Sequence, residues 1–307
     1  MDKADDGVTD ASAKLNEGPK EKRIFTRRPP EFGVHDNIPF WDYLLWDAFG
    51  SGDVRKTSTH SPAHLQYDWL AGTESNAAML TGRAIHACVL EPDTEWLRYA
   101  VLPEGRDRRS KDYKIMSEEY GKDFVLTTRE HEACLGVRDK LYGHTRVGRL
   151  LKEGRPEVTF AWEDKETGLR LKGRGDWLNE GLETVFDLKT TGDAREHRFK
   201  GIAKDKGYPQ QGVHYVSGLR HHDVGVKHYV IVAVETKPPY ELIMYRISTK
   251  DLMIAEAHWR TMVDYLAWCV QEDKWPGYPE HTTVLHMGNY WESEVQESIA
   301  VMQEMMV

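Results

Sequence analysis

The sequence predicts an α/β fold in which a central mixed sheet is flanked by helices. Two observations lead to this prediction: apolar residues recur at helical spacing over the first half of the chain, and from Pro156 they alternate with a period of two residues. The predicted order is helices, three strands, two helices, two strands and a helix. Because the first two strands form an antiparallel hairpin, the pattern argues against a purely parallel, doubly wound sheet.

The predicted helices have start and end signals. The stretch SNAAMLTGRAIHACVLEPD predicts a helix from about Asn76 to Leu90, closed near Pro92. A basic loop, PEGRDRRSKDYK, is predicted to follow it. Thr249 is the predicted cap of a long amphipathic helix, TKDLMIAEAHWRTMVDYLAWCVQED, and the chain from Trp275 onward is predicted to be irregular.

The predicted strands lie between these helices. PEVTFAWED and LRLKGRGDWL alternate and are joined by the turn KETG, so they form a hairpin, and ETVFDLKT follows as the third strand. AREHRFKGIAK and YPQQGVHYVSGLRHH predict two helices. VKHYVIVAVET and YELIMYRIS predict the last two strands.

Length and composition indicate a globular chain. Its 307 residues are 40% hydrophobic and 30% charged, and no apolar run approaches the roughly 18–20 residues that span a bilayer, so no membrane association is expected. The N-terminal stretch lacks the apolar core of a secretory signal. Residues 1–30 are therefore predicted to be a disordered polar tail, and residues 31–307 a single domain with a helical N-terminal part and a C-terminal helix.

The cysteines and the net charge exclude several classes of protein. Cys88, Cys134 and Cys269 are far apart and odd in number, so a disulfide framework, a zinc ribbon and an iron–sulfur cluster are not expected, and the cytoplasm is the expected compartment. The net charge of −9 argues against a protein that coats nucleic acid over its whole surface. A single basic groove is compatible with that charge.

Three charged residues on the predicted sheet suggest metal-dependent chemistry. Asp187 and Lys189 lie two positions apart on a strand, so both face one pocket while Leu188 faces the core behind it. Asp176, eleven positions before Asp187, lies at the end of the preceding strand and can meet it across the turn. Such groups can hold a divalent cation and stabilise the charge that develops during phosphodiester hydrolysis. An Asp-x-Lys tripeptide alone is also common on solvated strands.

Four further residues strengthen this interpretation. Gln211 and Tyr215 lie four positions apart, hence on one face of a helix, where they can orient a lysine or contact a phosphate. His86 lies in an apolar helix and Glu157 begins the hairpin, which offers an imidazole and a further carboxylate to Mg²⁺ or Mn²⁺. Structural interpretations stay open: Tyr215 as a core aromatic, His86 as a satisfied core histidine and Glu157 as an exposed strand edge.

These motifs, in this order, resemble a known nuclease family. The stretches SPAHLQYDWLAG, TGRAIHACVLEP, RDRRSKDYK, TGLRLKGRGDWL, DLKTTGDA and YPQQGVHYVSGL resemble RecE-type exonucleases (the nuclease domain of exonuclease VIII), in the RecB-like branch of the PD-(D/E)xK nuclease superfamily. The resemblance covers about residues 61–275 and implies a PD-(D/E)xK nuclease-like core. It does not extend clearly to residues 1–60.

The resemblance implies a function. The protein is expected to be a Mg²⁺-dependent exonuclease, with Mn²⁺ as an alternative cofactor, that degrades linear double-stranded DNA from the 5′ end and leaves 3′ single strands. It would work with a single-strand annealing recombinase in DNA recombination, as a ring-shaped homo-oligomer such as a trimer or tetramer. Lys189 would position or activate the attacking water and stabilise the transition state. The implied metal ligands are His86, Glu157, Asp176 and Asp187. The implied catalytic residues are Lys189, Asp187, Asp176, Gln211 and Tyr215.

Two basic clusters are candidates for contacts with DNA phosphates, although a run of charges is usually a solvated face. They are Arg106, Arg108, Arg109 and Lys111 after the histidine helix, and Arg195, Arg198, Lys200 and Lys204 after the third strand. Two rival interpretations stay open. One is another PD-(D/E)xK enzyme, an endonuclease or single-strand nuclease of phage or repair systems, and the other is a non-catalytic DNA-binding relative.

Overall fold

The chain forms two compact units, which meet in sequence between Trp275 and Pro276. The computed structural model describes residues 27–71, 76–285 and 288–305. Most of the polar tail predicted over residues 1–30 lies outside the described residues, and the predicted division into a tail and one domain stays a prediction. Among the described residues, no helix is both long enough and apolar enough to cross a membrane.

A mixed sheet forms the centre of the first unit, as the sequence predicts, but it has six strands where the sequence predicts five, because β1 (Gly33–His35) joins its edge. The described residues contain eight strands in two sheets. They are β1 (Gly33–His35), β2 (Ala100–Val101), β3 (Val125–Leu126), β4 (Arg155–Glu163), β5 (Arg170–Asn179), β6 (Thr184–Thr191), β7 (His228–Glu235) and β8 (Leu242–Arg246). Their order in the large sheet is β1-β4-β5-β6-β7-β8, in which only β6 and β7 run parallel. Strands β2 and β3 form a separate parallel pair.

The described residues also contain eleven α-helices. They are α1 (Phe40–Leu44), α2 (Ser51–Thr59), α3 (Pro62–Ala71), α4 (Ala77–Leu90), α5 (Lys111–Tyr120), α6 (Thr128–Gly143), α7 (Thr145–Leu150), α8 (Glu196–Asp205), α9 (Tyr208–His221), α10 (Thr249–Glu272) and α11 (Gly288–Met305). Helices α1 to α10 belong to the first unit and α11 belongs to the second.

The sheet has a hydrophobic core on each face. Ile231 and Ala233 of β7 pack in one core with residues of α2, α9 and α10, whereas Val232 and Val234 pack in the other with residues of α4, α6 and α7. This division follows from the alternation of side chains along a strand. A strand buried on both faces is a nearly continuous hydrophobic run, which explains the sequence YVIVAV. The sheet is therefore the middle layer of three.

The structure differs from the predictions at three places: the cap of α10, the start of α5 and the chain after residue 285. Helix α10 begins at Thr249, but its cap is Ser248, whose hydroxyl accepts a hydrogen bond from the backbone N–H of Asp251 (3.2 Å). Helix α5 begins inside the predicted basic loop because Ser110 caps it in the same way. The chain beyond Trp275 is irregular to residue 285, as predicted, and then forms α11 rather than continuing without structure.

Two buried cations of β5 hold the segment that contains α1. The ammonium group of Lys172 donates to the carbonyl oxygens of Tyr43 and Trp46, both at 2.9 Å. The guanidinium of Arg174 donates to the carbonyl oxygen of Ile38. Burial lowers the pKa of Lys172 to about 8. Because a buried cation is unfavourable unless it is hydrogen-bonded, these carbonyl groups stabilise both side chains.

Candidate metal-binding active site

Strands β5 and β6 separate at the candidate site. Their last backbone pair on this side is Trp177 with Phe186, so Asp176 lies where the ladder ends. The Asp176 carboxylate accepts a hydrogen bond from the backbone N–H of Leu188 (Oδ2···N 2.6 Å). A side chain of one strand thereby satisfies a backbone donor of the other, and a gap opens between the two strands.

Asp187 and Lys189 form an ion pair beside this gap, on the same face of β6. The Lys189 Nζ to Asp187 Oδ2 distance is 2.6 Å, and the Asp187 side chain is fully buried. Burial lowers the pKa of Lys189, but Asp187 and Asp176 outweigh it and hold that pKa above its ordinary value. Lys189 is therefore a cation at neutral pH, which suits it to stabilise negative charge.

Tyr229 is a partner of Asp187 that the sequence did not suggest. Its hydroxyl, buried in β7, donates to Asp187 Oδ2 at 3.0 Å. The parallel pairing of β6 and β7 places Tyr229 beside Val185, two positions before Asp187 and on the same side of the strand. A tyrosine within the run YVIVAV was the available signal, but only the strand register connects it to the aspartate.

The side chains of Gln211 and Tyr215 meet, as their spacing predicts. Gln211 Nε2 lies 2.8 Å from the Tyr215 hydroxyl and 3.4 Å from Asp187 Oδ1. Tyr215 is 6% exposed and packs edge-on against Phe160 in the core. Tyr215 therefore contacts Gln211, Gln211 contacts Asp187, and Asp187 pairs with Lys189. Tyr215 is also the core aromatic that its structural interpretation describes.

His86 turns its imidazole from α4 towards the gap. Its Nε2 lies 3.0 Å from the carbonyl oxygen of Leu188, which can only accept, so Nε2 carries the proton of that hydrogen bond. Nδ1 then faces the carboxylates, at 3.6 Å from Asp176 Oδ1 and 3.9 Å from Glu157 Oε1. A hydrogen bond that fixes one ring nitrogen and frees the other is typical of metal-ligating histidines.

The donor atoms of His86, Glu157 and Asp176 lie within 4.8 Å of one another. Burial and the neighbouring Asp187 raise the pKa of Asp176 to about 7, against the opposing charge of His86. Burial alone would lower the pKa of His86, but Asp176 and Glu157 raise it to about 9. The cluster thus attracts positive charge, and its two carboxylates and imidazole suit a divalent cation such as Mg²⁺ or Mn²⁺.

Arg174 holds Glu157 in this cluster and was missed in the sequence. Its Nε donates to Glu157 Oε2 at 2.5 Å, its Nη1 donates to Thr159 Oγ1 at 3.0 Å, and its Nη2 lies 3.4 Å from both carboxylate oxygens of Glu91. Glu91 directly follows α4, and burial together with Glu157 raises its pKa to about 7. Arg174 belongs to the same GRGD stretch as Asp176, where alternation puts both side chains on one face.

The predicted DNA-binding residues lie in two separate places. In the first cluster Arg106 pairs with Asp112 (3.0 Å), Arg108 with Glu130 (2.8 Å) and Arg109 with Asp107 (2.6 Å). Lys111 is exposed at the start of α5. In the second cluster Arg195 pairs with Asp193 (2.6 Å), whereas Arg198, Lys200 and Lys204 are exposed on α8. Their contacts with DNA stay predictions.

Comparison with known proteins agrees with this architecture. Residues 52–287 match the family described as a PDDEXK-like domain of unknown function (DUF3799). The crystal structure of a "putative exonuclease" from Eubacterium rectale superposes with a TM-score of 0.57 at 13% identity, covering 83% of this chain and 97% of that chain, a likeness that shows the fold. The crystal structure of SSO0001 superposes with a TM-score of 0.33 at 11% identity, covering 71% of this chain and 76% of that chain, which is too low to carry an argument. No curated protein matches the chain.

The family match spans most of the chain and includes the candidate ligands, the Asp187–Lys189 pair and the helix that carries Gln211. The three-layer fold with its mixed central sheet is the one that this match implies. The chain belongs to the PDDEXK-like DUF3799 family.

Proposed function

We propose that the protein is a metal-dependent nuclease that hydrolyses phosphodiester bonds of DNA. One observation carries the proposal: the Asp187–Lys189 ion pair lies beside the gap between β5 and β6, into which Asp176, Glu157 and His86 converge. The carboxylates and the imidazole can hold a divalent cation and the lysine can stabilise developing negative charge, which together support metal-assisted hydrolysis of a phosphodiester. A purely structural role would not need three buried carboxylates so close together.

The chain's own residues would divide the work of the reaction. His86, Glu157 and Asp176 would hold a divalent cation, with Asp187 next to them. When bound, such a cation polarises a phosphate oxygen and lowers the pKa of a water molecule. Lys189, held by Asp187 at 2.6 Å, would donate hydrogen bonds to the attacking water or to the phosphate and stabilise the developing charge. Gln211, Tyr215 and Tyr229 would keep Asp187 in place.

More specifically, we propose a RecE-type exonuclease that degrades linear duplex DNA from the 5′ end and leaves 3′ single strands. The six ordered motifs support this proposal, and so does the likeness to the Eubacterium rectale protein, whose description includes exonuclease. A single-strand annealing recombinase as partner, a ring-shaped homo-oligomer and a cytoplasmic location belong to the same proposal.

Digestion of end-labelled linear duplex DNA with Mg²⁺ tests the function directly. We expect progressive loss of the 5′ strand, no digestion of closed circular duplex, and no digestion in EDTA. Paired substrates with 5′-phosphate and 5′-hydroxyl ends would show whether the end group is recognised. Cleavage of circles at the rate of linear DNA would favour an endonuclease, and preference for single strands would favour a single-strand nuclease. Binding without cleavage at any tested metal concentration would favour a non-catalytic relative.

A further inference from the structure

Helix α8 and the residue that follows it carry four exposed basic side chains. Among residues 27–71, 76–285 and 288–305, no carboxylate forms an ion pair with Arg198, Lys200 or Lys204, or with Lys206 just after the helix. All four residues are exposed. Lys200 and Lys204 lie four positions apart on one helical face, so their like charges repel, and Glu196 one turn before Lys200 offsets only part of that repulsion. An external polyanion would reverse that repulsion.

The other predicted basic cluster differs in this respect. Its three arginines are each paired with a carboxylate of the chain, at 3.0, 2.8 and 2.6 Å. The Arg108–Glu130 pair also reaches Thr81 of α4, so it serves to join elements of the fold. An arginine already engaged by a carboxylate has less capacity to attract a phosphate. The structure therefore distinguishes α8 from the loop that precedes α5.

Gly201 is a second feature of α8 that the packing of the described chain does not explain. It lies in the interior of the helix, exposed and to one side of the face that carries Lys200 and Lys204, where glycine lowers helix stability relative to alanine. A Cβ atom built at this position meets no atom of the described chain within 4 Å. Packing within the protein thus gives no reason for glycine here. The missing side chain beside the two lysines leaves room for the backbone of another molecule to come near.

Helix α8 also lies next to the candidate active site. The chain passes from Lys189 at the end of β6 into α8 within a few residues. The Lys189 ammonium lies 5.1 Å from the centre of the Tyr208 ring, and that ring lies 6.0 Å from the ring of Phe199, which anchors α8 in the core. Helix α8 is thus connected to Lys189 through the rings of Tyr208 and Phe199.

We propose that the exposed face of α8 around Gly201 binds the phosphate backbone of the duplex that enters the active site. Lys200 and Lys204 make the principal contacts, and Arg198 and Lys206 flank them. This inference rests on the proposed function, since it takes DNA as the polyanion. It predicts that the lysines of α8, rather than those of α5, make the phosphate contacts on which the salt dependence of duplex binding rests.

The test compares two double variants of equal charge change in the full-length chain. Lys200→Gln with Lys204→Gln removes the proposed contacts, and Lys111→Gln with Lys114→Gln removes the same charge from α5, the rival site for DNA. Binding of a fluorescent duplex is measured by anisotropy in EDTA, so that nothing is cut, over a range of salt concentrations. Each lost phosphate contact makes the slope of log K against log salt shallower by about 0.9, hence by about 1.8 for the α8 pair.

We expect the α8 pair to bind on the order of tenfold or more weakly at 0.1 M salt and the α5 pair to match wild type. Equal losses in both pairs, or a loss in the α5 pair alone, would overturn the proposal. Displacement of the duplex by an equal concentration of single-stranded DNA or RNA would overturn the assignment of duplex DNA.

Gly201→Leu provides a variant that keeps every charge. We expect its melting temperature to equal or exceed that of wild type, because leucine is the better helix former, while duplex binding weakens about tenfold. Unchanged binding would remove the argument from the glycine. Binding in EDTA and digestion in Mg²⁺ are separate measurements. A protein that digests DNA but is insensitive to the α8 variants therefore refutes this inference alone, and one that binds through α8 but never digests refutes the nuclease proposal alone.

Discussion

The backbone N–H of Leu188 donates to the carboxylate of Asp176 across 2.6 Å, at the point where β5 and β6 stop pairing. One oxygen of Asp176 is thus used to hold the two strands in their separated arrangement. The other oxygen lies 3.6 Å from His86 Nδ1, within the candidate metal site. One oxygen of Asp176 therefore stabilises the strand arrangement and the other is available to a metal ion, and substitutions can test the two roles separately.

Asp176→Asn should abolish activity without unfolding the protein. The amide oxygen can still accept the Leu188 hydrogen bond, but the charge needed by a cation is lost, and we expect a rate at least about 10²-fold lower. Asp176→Ala leaves the buried N–H unsatisfied and should lower the free energy of unfolding by about 1–3 kcal/mol. Urea denaturation and DNA digestion check both. An active Asn variant would contradict the role of Asp176 as a ligand.

Lys189→Gln should lose activity by about 10²–10³-fold, because the positive charge at the reacting phosphate disappears. Glutamine retains an N–H donor for Asp187, so the buried carboxylate keeps a partner and the fold should survive. Initial rates at saturating Mg²⁺ are the measurement. Lys165→Gln, in the exposed turn between β4 and β5, is the control and should behave as wild type. Equal rates for the two variants would remove Lys189 from the mechanism.

Metal binding should release protons at neutral pH. The pKa of His86 is raised to about 9 and that of Asp176 to about 7, so at neutral pH His86 is protonated and Asp176 is partly protonated, and a cation must displace those protons. Apparent metal affinity should therefore increase from pH 6 to pH 9. Calorimetry in two buffers of different ionisation enthalpy counts the protons. His86→Gln should release fewer and the exposed His228→Gln the same number, whereas identical heats in both buffers for wild type would contradict the expectation.

Arg174→Lys should weaken metal binding by about 10–100-fold while leaving the rate at saturating metal largely unchanged. Lysine keeps the charge but cannot donate in a fork to Glu157, Thr159 and Glu91 together. Activity measured against Mg²⁺ concentration separates affinity from rate. Arg170→Lys, on the same strand and paired with Asp47 at the surface, is the control and should leave the midpoint unchanged. A lower rate at saturation with an unchanged midpoint would contradict a positioning role for Arg174.

Tyr229→Phe should destabilise the protein by about 1.5–3 kcal/mol, since it removes a donor from a buried carboxylate. Tyr245→Phe is the matched control, because that hydroxyl donates to the neutral carbonyl of Ala194 and its loss should cost only about 0.5–1.5 kcal/mol. Chemical denaturation gives both values. A Tyr229 variant as stable as wild type would show that Gln211 and Lys189 suffice to hold Asp187.

Local patterns predicted much of this fold, and the reason is that helix and strand periodicities act over a few residues. The alternation that places Asp187 and Lys189 on one face, and the turn between β4 and β5, are properties of short segments. The serine caps of α5 and α10 are equally local signals. The predicted loop around Ser110 and the predicted cap at Thr249 nevertheless miss them. The mixed sheet followed from the order of these segments.

The partners of the site residues could not be predicted in the same way. Tyr229 reaches Asp187 only because β6 and β7 pair in parallel with one particular register, and Arg174 reaches Glu91 only because α4 ends beside β5. Both contacts join residues distant in sequence. The separation of β5 from β6 is likewise a tertiary feature, and it decides which oxygen of Asp176 is free.

The hydrogen bonds from Lys172 and Arg174 to the carbonyl groups of residues 38–46 determine where the protein can be shortened. The family match begins at residue 52, beyond all of these carbonyls. A fragment cut at that boundary would leave the buried Lys172 ammonium without the carbonyl oxygens of residues 43–46, whereas Arg174 would lose Ile38 but keep Glu157, Thr159 and Glu91. A shortened chain that keeps all of these acceptors therefore starts before Ile38, and affinity tags and fusion partners belong upstream of that residue.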